Sequence, residues 1–474
     1  MSEHSPGGNI SCKLIAAFIA LSSHLIMHQI DVTSAHFSVA FSIPLNNISI
    51  YFSKLFSFRC LLIAVGTFSE FLISEIFKHL DFGALNGVGK KDNKYRKYIS
   101  MACFALVLAI RVLLLIFLYR SSNLGYYVYI ILSVEAFFFG YFHASVLAIV
   151  PEHSLAVALA ANVSRLFILL TQFCLDAILY TRPLLMIKLQ VLIGVVMTGI
   201  AVVLWFYYHQ IGPCSSHITS GSTDLSALPG PGGIRVKEEK GFGRTFADAI
   251  SPFMMFFVGS MFKDFLYPGV LPYALLKRDI CHIINMLVPV SNMIGPVVLF
   301  FLEIAEVFPI WEPSYNWFWV FAIPMAMTFV LSFMPIHTRI PFFRSIINSR
   351  IKVMYMTLGV VFCNGFLDPL SFGGVAKVVK PQFRGKARNG TLKYGDNRLI
   401  TFHAILALFM RFVFSKISVG YNDTRVSLGY CLPKFRPLHR MSKHNTFWYI
   451  LRQTFKTAWK DTGSDFSMNI KNYL

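Results

Sequence analysis

Long apolar runs separated by short polar gaps set the organisation of this chain. A helix that crosses a bilayer needs roughly 17–25 mostly apolar residues. Eleven runs meet that requirement, at about 13–30, 58–77, 99–118, 126–149, 154–180, 187–208, 250–272, 281–302, 317–336, 351–372 and 400–418. The last is short and contains Arg411. The longest polar break before residue 373 runs from His209 to Arg244, and its Gly, Pro and Ser content gives it no means of burying a core. It divides the runs six plus five. The pattern therefore predicts a tail over 1–12, a six-helix bundle over 13–208, an unstructured linker over 209–249, a five-helix bundle over 250–418 and a basic tail over 419–474. Within that tail, "NTFWYILRQTFKTAWK" reads as an amphipathic helix at the membrane surface.

Composition supports lipid as the solvent. Of 474 residues, 55% are hydrophobic and only 14% charged, against about 25% in soluble domains. The net charge of +20 can signal a nucleic-acid partner. Here the charges fall in the gaps between apolar runs, so they are read as loops facing lipid headgroups or cytosol. The partners expected are a bilayer and a small-molecule substrate, with no nucleic acid polymer. The eight cysteines are scattered, with no CxxC and no Cys/His metal spacing. No cofactor motif appears. "ALNGVGKK", from Ala84, only approaches a phosphate-binding loop, and it lacks the first Gly and the final Ser or Thr. Neither HExxH nor GxSxG is present, so an enzyme is not expected.

Lys and Arg bias in short loops sets orientation. The gap after the second run carries Lys78, Lys90, Lys91, Lys94, Arg96 and Lys97; the linker carries Arg235, Lys237, Lys240 and Arg244; the gap after the tenth carries seven more basic residues from Lys377 to Arg398. Eleven spans place all three gaps on one side. That side, with the N-terminus and the 209–249 linker, is expected to be cytosolic, in a plasma membrane rather than an internal one. Arg339, Arg344, Arg350 and the basic tail fall on the other side.

Polar residues inside apolar runs are the candidate functional groups. A charge at mid-bilayer costs about 2.5–3.5 kcal/mol on insertion scales, so it faces protein or water. Lys263 and Asp264 are neighbours in the seventh run and point about 100° apart; they are read either as a pathway charge or as an interhelical salt bridge. Arg165 needs a partner, with Glu135, Glu70 and Asp368 as candidates, and such a pair is either a gate or a static bridge. Glu135 is also a candidate proton-coupling carboxylate. His143, among Gly140, Ala144 and Ser145, either meets a solute or bonds a backbone carbonyl. Asn162, Asn285, Asn292 and Asn364 are amides suited to a neutral polar solute, or are interhelical clamps. Pro268 and Gly269 predict a broken helix, because proline removes an intrahelical hydrogen bond. In a membrane such a break is tolerated only against protein or a wet cavity.

The six-plus-five division around a long central loop resembles the equilibrative nucleoside transporter family. "FFFGYFHASVLAIVPEHSLAVALAANVSRL", from Phe137, is similar to the family's stretch through helices four and five; "FLYPGV", from Phe265, to its Phe-Pro-Gly turn in helix seven; and "VVFCNGFLDPLSFGGVAKVVKP", from Val360, to its helix ten. The resemblance covers roughly 12–418. The chain departs from it where the family has a Pro-Trp-Asn in helix one, and at helix eight, where Asn292 and Pro296 stand in place of an Asp and an Arg. It also has His143 in place of a Gln, and Asn162 in place of another. The resemblance implies an all-α polytopic membrane protein of about 11 transmembrane helices in a 6+5 two-bundle, major-facilitator-like arrangement. It implies alternating access without ATP, with a nucleoside or nucleobase as solute and His143, Asn162, Asn292 and Asn364 near it. The alternatives are a non-transporting interaction or surface protein on a transporter-derived scaffold, and a major-facilitator carrier of another solute.

Overall fold

The computed structural model describes residues 6–44, 47–81, 90–120, 123–150, 154–210, 237–305, 307, 311–379, 382–384, 391–395, 398–432, 435, 437–466 and 470. The Ala84 loop up to residue 89 and most of the linker, 211–236, lie outside them. The first half comprises α1 (Pro6–Ala40), α2 (Ile48–Asp81), α3 (Lys90–Arg120), α4 (Leu124–Ile149), α5 (Ser154–Leu179) and α6 (Pro183–Gln210). Strand β1 (Lys237–Glu239) and the short α7 (Phe242–Asp248) lead into α8 (Ile250–Leu266), bent 66° from α7. The second half continues with α9 (Arg278–Ile304), a 3-10 turn (Pro313–Phe321) running into α10 (Ala322–His337), the short α11 (Pro341–Arg344) and α12 (Arg350–Val379). Strands β2 (Gln382–Arg384) and β3 (Thr391–Tyr394) precede α13 (Arg398–Ser427) and α14 (Lys443–Phe466). Among the described residues ten helices are long and apolar enough to cross a membrane, or eleven if the bent α7–α8 pair is one span. The chain is an all-α polytopic membrane protein with a major-facilitator-like arrangement.

Three expected spans differ in extent. The first helix runs on to Ala40 and the second begins at Ile48, so each is about ten residues longer than its apolar run at the α1–α2 turn. The added turns are polar, but Thr33, Ser34, His36, Ser38, Ser53 and Lys54 are buried among other helices. A hydropathy window scores them as if they met lipid. The last span likewise extends to Ser427, taking in the buried Asn422 and Arg425. The end of the linker is ordered too. β1 pairs in parallel with β3, which pairs antiparallel with β2. This small sheet ties the linker to the loop after α12 and holds both on one side of the molecule.

The cores show how the halves meet. One apolar cluster joins both halves around the turns α1–α2, α3–α4 and α8–α9, with Phe37, Tyr51, Phe52, Tyr129, Leu271, Tyr273 and Ile284 among its members. At the opposite end the first half has a cluster of its own, built on Phe104, Phe142 and Trp205, against which, among the described residues, only Leu408 of the second half packs. The second half has a separate one there, around Phe253, Val375 and Leu399. The molecule is shut at one end and divided at the other.

Candidate functional site: a polar centre between two halves

Polar side chains gather where the shared core gives way to the divided ones. His24 and His28 are one turn apart on α1, so their rings share a face and lie 6.3 Å apart. His143 of α4 meets His24 edge-on at 5.0 Å and stacks on Phe139 at 5.8 Å. His24 Nδ1 lies 2.8 Å from Ala20 O. A carbonyl can only accept, so that nitrogen carries the proton and Nε2 is left as an acceptor. Arg165 follows Asn162 by three residues on α5, on the same side of the helix. The carboxamide oxygen of Asn292, on α9, accepts from the Arg165 guanidinium at 2.7 and 3.2 Å in the amide orientation that satisfies both groups. That contact spans the two halves. Arg165 is within electrostatic reach of His24 and His28, and Lys263 of His28.

The broken helix borders this centre. Lys263 and Asp264 pair directly at 2.8 Å, and Ser260 Oγ donates to the buried Asp264 carboxylate. The Lys263 ammonium also lies 4.8 Å from the centre of the Phe56 ring on α2, where the ring face attracts a cation. Helix α8 ends at Leu266, and the chain from Tyr267 to Leu276 turns through the protein interior. Gly269 sits so close to Ser53, Ser418 and Asn422 that a Cβ would collide with Ser418 Oγ. The break is therefore wedged between α2 and α13. Pro268 lines a cavity of about 20 Å³ with Phe52, Phe56, Arg59, Cys60 and Tyr267, room for about one water.

Other expected residues lie elsewhere. Glu135 does not meet Arg165. It is buried in the first half, where its carboxylate accepts from Arg111 at 2.7 Å and from Arg59 at 3.0 Å. Arg111 donates also to the carbonyls of Ser22 and Ser23 and to Thr198 Oγ1. This is a satisfied network rather than a poised carboxylate. Glu70 pairs with Arg96 at 2.7 Å and Asp368 with Arg411 at 2.8 Å, so the three carboxylates proposed for Arg165 all have other cations. Asn364 is buried at a close crossing in the second half: its Oδ1 lies against Gly259, and the backbone of the next residue, Gly365, abuts Gly295.

The shut end is held by polar contacts that the sequence reading missed. Tyr273 Oη, on the turn after α8, bonds Ser34 of α1 at 2.5 Å and accepts from Asn285 of α9 at 2.8 Å. Helix α14 does not lie alone on a surface. It runs antiparallel along α13 with Thr446, Ile450, Thr454, Ala458, Asp461 and Asp465 as its buried stripe. Asp461 accepts from Lys54 of α2 and from Lys416 of α13, each at 2.5 Å. Asp465 bonds the same two lysines and Tyr129 of α4. Burial opposes ionisation of Asp461, but the ammoniums of Lys416 and Lys54 outweigh it and hold the carboxyl below its ordinary value. One tail helix thus locks a lysine from each half. The signal available in sequence was a charge within or beside each apolar run.

No protein-family model and no curated protein matches the chain. Solved structures do resemble it. A D-xylose–proton symporter superposes with a TM-score of 0.54 at 12% identity, covering 96% of this chain and 97% of that one. A bacterial homologue of the human drug peptide transporters PepT1 and PepT2 gives 0.50 at 9% identity, covering 95% of each. The nucleoside transporter NupG, at 0.48 and 10%, falls below the level at which a shared fold can be argued. These likenesses establish the fold and leave the solute undefined.

Proposed function

We propose that the protein is a carrier that moves a small neutral polar solute by alternating access, without ATP. The observation that supports this most is the asymmetry of the cores: one cluster shared by both halves at one end, separate clusters at the other, and a polar centre between. Imidazoles and carboxamides suit a neutral solute because they can donate or accept without adding charge. The basic gaps follow α2, α6 and α12 in sequence, and these helices finish at the divided end, which the positive-inside bias orients to the cytosol. A nucleoside or nucleobase is the solute class proposed, on the sequence resemblance around Phe137, Phe265 and Val360. His143, Asn162 and Asn292 are its proposed contacts, with Asn364 holding the second half in register. The plasma membrane is the proposed site.

The test is uptake into liposomes by the purified full chain, over a panel of radiolabelled nucleosides, bases, sugars and peptides. Saturable uptake that falls at least about tenfold in His143→Ala is expected. Uptake untouched by His143→Ala and Asn292→Ala would discard the contacts. A second reading, a scaffold that no longer transports, draws on the small cavity of about 20 Å³; uptake of nothing in the panel would favour it.

A further inference from the structure

Away from the polar centre, three metal-ligating side chains converge at the shut end. His36 stands near the end of α1, Asp176 in the last turn of α5 and His282 in the second turn of α9. His36 Nε2 is 3.1 Å from Asp176 Oδ1 and 3.3 Å from His282 Nε2, and His282 Nε2 is 2.8 Å from Asp176 Oδ2. All three donor atoms lie within 4.8 Å of one another. The same nitrogen of each ring faces both the carboxylate and the other ring. Hydrogen bonding alone serves that arrangement poorly, because two N–H groups aimed at one carboxylate also confront each other.

We propose that His36, Asp176 and His282 bind a divalent transition-metal ion of the zinc class. Zinc bonds of about 2.0–2.1 Å at tetrahedral angles place neighbouring ligand atoms about 3.3 Å apart; the two imidazole nitrogens already stand at 3.3 Å, and each has a carboxylate oxygen at 3.1 or 2.8 Å. Two imidazoles and one carboxylate favour zinc-class ions over calcium or magnesium, which take oxygen ligands. Three protein ligands leave a fourth position for water. The carboxylate is already oriented: Gln172 Nε2 donates to Asp176 Oδ1 at 2.7 Å, and Gln172 Oε1 accepts in turn from Gln190. Such outer partners fix ligand geometry. His282 Nδ1 is buried and has no hydrogen-bond partner among the described residues; the metal-binding tautomer, with a bare Nε2, carries its proton there. The three side chains are 9–15% accessible, which leaves the ion a route in from the surface.

Because α1 and α5 belong to the first half and α9 to the second, the ligand set is complete only while this end is shut. The ion would therefore favour the shut state by its differential affinity. That consequence rests on the carrier reading; the binding itself does not. The test uses the full chain in detergent, stripped with EDTA, desalted and titrated with Zn²⁺ by calorimetry beside thermal unfolding. One equivalent should bind per chain and raise Tm, and His36→Gln, Asp176→Asn and His282→Gln should each weaken binding at least about tenfold. If those variants unfold, His282→Cys should keep one site and move its preference toward Cd²⁺, a softer ion. Equal zinc affinity in native and variant chains, or calcium bound as tightly as zinc, would overturn the proposal. Zinc binding without any solute uptake would sink the carrier reading and leave the site standing.

Discussion

The two ends of this molecule are built differently, and under the proposed carrier mechanism the contrast would locate the moving parts. At the shut end, both halves contribute to one apolar core, and hydrogen bonds and ion pairs cross the seam at Ser34–Tyr273–Asn285 and Lys54–Asp461–Lys416. At the divided end each half keeps its own core, and among the described apolar residues only Leu408 reaches across. The halves do not need each other for the cores at the divided end. A rocking motion would break the contacts of the shut end and leave Phe104, Trp205, Phe253 and Val375 in place. The ion network inside the first half, Arg59–Glu135–Arg111, belongs to the part that stays fixed.

The contrast can be broken most severely at the tail helix. Replacing Asp461 and Asp465 together by Ala takes from the buried Lys54 and Lys416 the two carboxylates that bridge them. Removing one side of a buried pair costs about 3–5 kcal/mol, which should open the shut end. A cysteine placed at the buried Ser34 is expected to resist a membrane-impermeant thiol reagent in the native background and to label in the double variant. Continued protection there would show that α14 is not a latch. Tyr273→Phe should act in the same direction but less, by about 0.5–1.5 kcal/mol, because it removes the Tyr273 bonds across the seam while Asn285 Nδ2 still donates to Ser34 Oγ. Acid offers a graded version. Asp461 is held below the ordinary aspartate value of 3.8. A depressed carboxyl contributes stability above its unfolded value and loses it as pH falls through the folded one. Asp465, raised by burial, takes its proton first and leaves Asp461 on both lysines. Protection of the Ser34 cysteine should therefore persist down to about pH 4 and fail below it; loss near neutrality would contradict the assignment.

The number of spans, their division and the break after Leu266 were legible because each depends on local composition: apolar run length, a Gly/Pro/Ser linker, a proline. The partners of charges were not legible, because they come from helices distant in sequence. Glu135 was matched to Arg165 on the strength of neighbouring spans, yet Arg59 and Arg111 lie closer in space. Lys54 sat before the apparent start of the second span, and Asp461 in a tail read as surface. The polar ends of α1, α2 and α13 failed for one common reason. Hydropathy treats the far side of a helix as lipid, whereas here it is another helix carrying Ser, Asn or a carboxylate. His24 and His28 did carry a readable signal, two imidazoles at i and i+4 within an apolar run, but it points to a shared face and not to His143 on another helix.

The smallest expected effect sharpens the comparison from the other side. Leu408 is partly buried on α13 and, among the described residues, is the one apolar residue of the second half packed on the first half's divided-end core. Truncating a fully buried leucine costs about 2–5 kcal/mol. A half-buried one whose neighbours can relax into open space should cost less, on the order of 1 kcal/mol. Leu408→Ala should therefore lower Tm slightly and leave the Ser34 cysteine protected, since the shut end does not depend on this contact. If the variant instead exposed Ser34, closure at one end would be coupled to contact at the other. The two ends would then form one cooperative seam, and rigid halves pivoting about a shared core would no longer describe the protein.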